Sequence, residues 1–96
     1  MAVKDPVDSL RQASGLLERG ELAESALVLA RVAHEFPDNP DVLFLHGVAL
    51  HRLGQLDESL AKLSECLRLV PSHLQAANAR AAVLSGLGRD QEAHDA

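Results

Sequence analysis

The sequence has no tryptophan and no tyrosine, and Phe36 and Phe44 are its only phenylalanines. A core built this way must rest on Leu, Val and Ala, whose many small dispersion contacts add up only when packing is close. There is one cysteine, Cys66, so no disulfide forms within the chain, and a reducing cytoplasm is the expected compartment. Nine basic residues stand against 14 acidic ones, for a net charge of -5. That balance excludes the clustered lysine and arginine that displace counterions from nucleic acid, so no nucleic-acid partner is expected. It also speaks against an anionic membrane surface. No apolar run approaches the ~20 residues that span a bilayer. The opening MAVKDPVDSL lacks the apolar centre of a signal peptide. Arginine outnumbers lysine, as in GC-rich bacterial genomes.

What is present is a repeat. Pro6, Gly20, Leu22, Glu24, Ser25 and Pro37 return as Pro40, Gly54, Leu56, Glu58, Ser59 and Pro71, each at an offset of 34 residues. The units run 6–39 and 40–73, and a partial copy runs 74–96 with Gly88 and Glu92 in step. Each full unit reads as helix, glycine turn, helix and proline stop. A helix pair recurring at this period marks a solenoid, here a single domain over residues 1–96. Ala96 falls inside an expected helix, so the chain reads as the N-terminal part of a longer protein.

The first helix should start at Asp5-Pro6, with Asp5 as cap, and stop at Gly20. Its apolar positions are Val7, Leu10, Ala13, Leu16 and Leu17, and Gly15 weakens it by about 1 kcal/mol. A second helix, about Leu22 to Glu35, carries the stripe Leu22, Ala26, Leu29 and Ala33. Asn39 is the expected cap of the third helix, and Pro40 repeats the role of Pro6. That third helix, DVLFLHGVALHRL, is apolar nearly all round, whereas the fourth has one stripe, Leu56, Leu60, Leu63 and Leu67. Ser72 with Gln75 suggests a capping box for a fifth helix over 74–87. Gly86 and Gly88 should end it, with RDQEAHDA beginning a sixth.

This framework resembles the tetratricopeptide repeat, over essentially the whole chain from Pro6. The small residues Ala13, Gly47 and Ala81 match the family's close-approach position on the first helix. Ser25, Ser59 and Ala93 match the one on the second, and Val32 and Cys66 a later core position. The chain departs from the family at its aromatic positions, which hold Ser9, Leu43 and Ala77, then Leu16, Leu50 and Leu84. Gln12, His46 and Arg80 replace a frequent leucine. The resemblance implies an all-α, right-handed solenoid of antiparallel helix pairs.

No arrangement of residues suggests an active site, so neither enzymatic activity nor a cofactor is expected. His46 and His51, five apart, lie on different faces of one helix and cannot ligate a metal together. His34, His73 and His94 are expected near exposed helix ends, and His46 as a core histidine bonded to nearby backbone. Cys66 is expected to be an inert buried thiol. The acids Asp57, Glu58, Asp90 and Glu92 suit helix N-termini without further role.

The resemblance places function in a concave groove lined by the first helix of each unit. The positions carried over are Leu10, Arg11, Ser14 and Leu17, with Val7 and Glu18 beside them. The second unit contributes Asp41, Phe44, Val48, His51 and Arg52, with Leu45. The third contributes Gln75 and Asn78, with Ala79 and Ala82. An apolar strip edged by arginine suits an amphipathic helix or apolar peptide from a protein partner, as in a scaffold or adaptor. Leu10, Ser14, Val48, Gln75 and Ala79 stand where some relatives clamp a chaperone's terminal carboxylate with Lys and Asn, so no such clamp is expected. The alternative is a substrate-positioning or oligomerisation domain of a larger bacterial transferase or hydroxylase. Self-association to a homodimer is a third expectation, through Leu84 and Leu87 on a fifth helix left uncovered along Ala76, Ala77, Ala81 and Val83. Leu27 and Val28 on the outer face of the second helix are a further candidate surface.

Overall fold

The computed structural model describes residues 5–95, with side chains described over 5–88. It contains five helices: α1 (Val7–Glu18), α2 (Leu22–Glu35), α3 (Pro40–Arg52), α4 (Leu56–Leu69) and α5 (Leu74–Asp95). Among the described residues there is no strand. α1 pairs with α2 and α3 with α4, and α5 packs on α4 and α3.

Local chemistry sets the helix ends. Asp5 Oδ1 accepts the Val7 amide at 3.0 Å, and Asn39 Oδ1 accepts those of Asp41 and Val42 at 3.0 and 3.2 Å. α1 and α3 end alike. The Glu21 amide reaches back to Leu16 O and the Gly20 amide to Leu17 O; Gln55 and Gly54 repeat this on Leu50 and His51. This motif requires a left-handed residue, and Gly20 and Gly54 supply it with φ of 79° and 83°.

The two helices of each full unit are locked by the same bond. Ser25 Oγ donates to Ala13 O at 2.9 Å, and Ser59 Oγ donates to Gly47 O at 2.6 Å, both fully buried. The close-approach residues are therefore small for two reasons: the backbones must meet, and a hydroxyl must reach a carbonyl across the gap. Gly47 is the tighter crossing, because Leu63 occupies the space its Cβ would need.

Two apolar clusters form the core. Ala13, Leu17, Leu29 and Ala49 join the first unit to α3, and Leu43, Leu63, Cys66, Ala76 and Val83 join the second unit to α5. α3 contributes to both and touches every other helix. This explains its apolar circumference: Val42, Leu43, His46, Gly47, Ala49 and Leu50 are all buried.

Three expectations are corrected. α5 does not end at Gly86 or Gly88; it runs unbroken to Asp95, and no sixth helix begins among the described residues. After Gly20 and Gly54 the chain turns back because Leu22 and Leu56 pack into the core, whereas Asp90 stands at that place after Gly88. Gly86 serves close packing instead, since a Cβ there would lie 3.3 Å from Leu56 Cδ1. The cap of α5 is His73, not Ser72: its Nδ1 accepts the Ala76 amide at 3.0 Å. Finally, Ala76 and Val83 are fully buried rather than uncovered. The side chains of Asp90, Glu92, Ala93 and His94 lie outside the described residues.

Candidate functional site

α1 touches α3 and α3 touches α5, but among the described residues α2 and α4 do not meet. The first helices of the units thus form one continuous layer while the second helices splay. The array curves toward the α1–α3–α5 side, which is the concave face, and leaves a cleft between α2 and α4 on the other.

On the concave face, α3 presents the half-buried Phe44, Leu45 and Val48 between exposed Asp41 and Arg52. These positions are three, four, seven and eleven residues beyond Asp41, one side of a helix. α1 carries a surface hollow of about 390 Å³ lined by its own Val7, Leu10, Arg11, Ser14, Gly15 and Glu18. Val7 is 48% exposed there, and Leu10 rests on the first core cluster. Arg52 bridges the layer by donating from Nη1 to Leu17 O at 3.4 Å. His51 is half-buried; Gln75 and Asn78 of α5 are exposed.

Leu17 does not line the groove: it is 6% exposed and packs with Ala13, Leu29 and Ala49. Its place in the helical period faces the crossing with α2, so only its carbonyl is offered, to Arg52. Phe44 divides its role, packing on the second core cluster and setting its ring 5.1 Å from that of His73. His73 is thus a cap and a ring partner rather than a free turn residue. Of the residues considered for self-association, Leu84 and Leu27 are exposed. Leu87 packs against the Leu43 cluster and Val28 against the Ala13 cluster, so neither is a free surface.

The α2–α4 cleft was not foreseen from the sequence. It measures about 490 Å³, with α2 giving Ala23, Ala26, Leu27 and Ala30, α3 giving His46 and Leu50, and Leu53, Gln55 and Glu58 completing the lining. The histidine does not bond to nearby backbone as expected; its Nδ1 is buried without a partner. Burial, helped by Lys62 and opposed by Glu58, holds its imidazole below the ordinary value of 6.5. Burial likewise pushes the Cys66 thiol up, and Sγ lies 3.4 Å from Pro40 O. Among the described residues, no group of three His, Cys, Asp or Glu is placed to hold a metal. No described helix is long and apolar enough to cross a membrane.

Solved structures share this arrangement. One, a point mutant of MamA, is 27% identical, with a TM-score of 0.79 over 96% of this chain and 67% of that one. Another, "MamA RS-1 ArsTM double mutant", is also 27% identical, with a TM-score of 0.78 over 96% of this chain and 52% of the other. The fold is an all-α, tetratricopeptide-like helical repeat. The array spans about two thirds of the first of these proteins and about half of the second. No protein-family model matches the chain, and no curated protein matches its sequence.

Proposed function

We propose that the array is a protein-interaction scaffold whose concave face binds the apolar side of a partner's helix or extended segment. The observation that carries this reading is the α1 hollow, where Val7 is exposed and Leu10 half-buried, with Leu10 packed on the same core cluster as Leu45 and Val48 of α3. Apolar side chains held by rigid helices can take an apolar ridge from a partner, while Arg11 and Arg52 at the margin favour acidic residues on its polar side. The likeness to helical-repeat structures supports a binding role in general, and the partner's chemistry rests on the groove residues themselves.

A displayed library of helical peptides, selected on the wild-type protein, tests the reading. Selected peptides should share apolar residues at helical spacing and bind at least tenfold more weakly to Val7→Lys and Arg11→Glu. These exposed positions are the useful ones, because Leu10 and Phe44 also pack on the core and their loss would confuse binding with stability. Selection of peptides that bind both variants as well as the wild type would place the working surface elsewhere.

A further inference from the structure

Among the described residues α5 packs on α4 and α3 alone, and no helix covers its far side. That side carries Leu74, Ala77, Ala81 and Leu84, spaced three, four and three residues apart. All are exposed, Leu74 by 71% and Leu84 by 41%. In the second unit the places of Ala77, Ala81 and Leu84 are held by Leu43, Gly47 and Leu50, all buried. There α4 lies across the crossing, with Leu63 against Gly47 and Ser59 Oγ donating to Gly47 O. In the first unit Ser25 of α2 donates to Ala13 O in the same way. The bare face of α5 is therefore one that the repeat elsewhere covers with an antiparallel helix. It is bare because α5 runs straight on to Asp95.

We propose that a second copy of this chain covers that face, the two α5 helices pairing antiparallel about a two-fold axis beside Ala79. The stripe reads the same from either end: Leu74 and Leu84 stand five residues from Ala79, and Ala77 and Ala81 stand two. An antiparallel pair thus sets Leu74 against Leu84 of the other copy, and Ala77 against Ala81. An interface between identical copies needs this self-complementarity, whereas a helix from a different protein does not. Spacings of three and four form the seam of a coiled coil, and leucine at both ends closes that seam against water. Alanine at its centre lets the two backbones approach. Antiparallel order also sets the positive end of each helix beside the negative end of the other. Charge does not oppose the pairing, although each copy carries -5. Arg80 is the charged side chain between Leu74 and Gly88, and its Nε donates to Ser64 of α4 at 3.1 Å. Leu87 takes no part, because it packs on the Leu43 cluster. So short a seam buries less than the ~1,200 Å² of a standard interface, which makes the dimer a reversible one.

Sedimentation over a range of concentrations, together with thiol cross-linking, tests the proposal. We expect the wild-type chain to pass from monomer to dimer as its concentration rises. Ala81→Glu and Leu84→Lys should each weaken the dimer about tenfold or more, because each brings a charge into the seam. Both positions are exposed in the single chain, so helicity should be unchanged. For the orientation, Ala77→Cys and Ala81→Cys are made separately and mixed under mild oxidation. The mixture should give more disulfide-linked dimer than either variant alone. In either alone the two thiols stand about 6 Å apart along the helix axis, beyond bridging reach. Cys66 is fully buried and does not compete. A monomer at the highest soluble concentration, or a dimer that withstands both charged substitutions, would overturn the proposal. So would cross-linking in the mixture no greater than in the separate variants. Should Ala81→Glu lose helicity, Leu84→Lys and the cross-linking decide.

Discussion

A Cβ built on Gly47 would stand 2.7 Å from Cγ of Leu63 and 2.8 Å from its Cδ2. Leu63 is fully buried and cannot retreat, so Gly47→Ala should cost about 1–3 kcal/mol through overpacking, read as a lower midpoint in urea with unchanged slope. Ser59→Ala tests the bond beside it. Losing the hydroxyl that donates to Gly47 O should cost about 1 kcal/mol, and Ser25→Ala a similar amount in the first unit. His46 adds a pH dependence. Its imidazole titrates lower in the fold than the 6.5 of the unfolded chain, so the unfolded state takes up the proton first. The stabilisation from a neutral His46 is complete above that value and is lost as pH falls below it toward the folded value. Lys62 and Glu58 of α4 are the charged groups that act on the ring, while the α2 wall is alanine and leucine. The melting temperature should therefore fall more between pH 7.5 and pH 5 in the wild type than in His46→Leu. Equal falls would show that His46 contributes nothing.

Among the helices, the glycines that look alike in sequence do different things. Gly20 and Gly54 take the left-handed conformation that closes α1 and α3, and Gly86 and Gly88 stay helical. Gly54→Ala should cost about 1 kcal/mol, because a side chain is strained at that φ whatever the space around it. Gly88→Ala, in a helix, should instead be neutral or stabilising by up to about 1 kcal/mol. Comparing the two by thermal unfolding separates a structural turn from an apparent one. The spacing of the glycines was legible at once. Their divergence was not, because it depends on whether the next residues can pack: Leu22 and Leu56 pack into the core, and Asp90 stands at their place in the third copy. The same holds for His73, whose imidazole caps α5 only because the turn after Val70 brings it over the Ala76 amide.

At the scale of the whole molecule, α3 is the element that every other helix touches. Opening it means separating both core clusters, so its amides should exchange most slowly, close to the rate set by global unfolding. α1 leans on α2 and α3 alone and should exchange faster. Equal protection across the helices would indicate a single cooperative unit rather than an array of neighbouring contacts.

The sequence by itself determined the repeat, the pairing of helices, the cap at Asn39 and the small residues at the crossings. These follow from spacing and local propensity, which need no knowledge of neighbours. The N-cap of α1 falls on Pro6 and not on Asp5. The tetratricopeptide resemblance put Val7, Leu10, Arg11 and Ser14 on one side of α1, where they line one hollow. Only the tertiary structure decided that Leu17 turns inward, that Phe44 is shared between core and groove, and that Val28 and Leu87 are packed away. Each of these lies at the edge of an apolar stripe, where one neighbouring helix more or less changes burial. The α2–α4 cleft is the furthest such case. It exists because the layer α1–α3–α5 is continuous and α2 and α4 stand apart, a curvature that no single helix encodes.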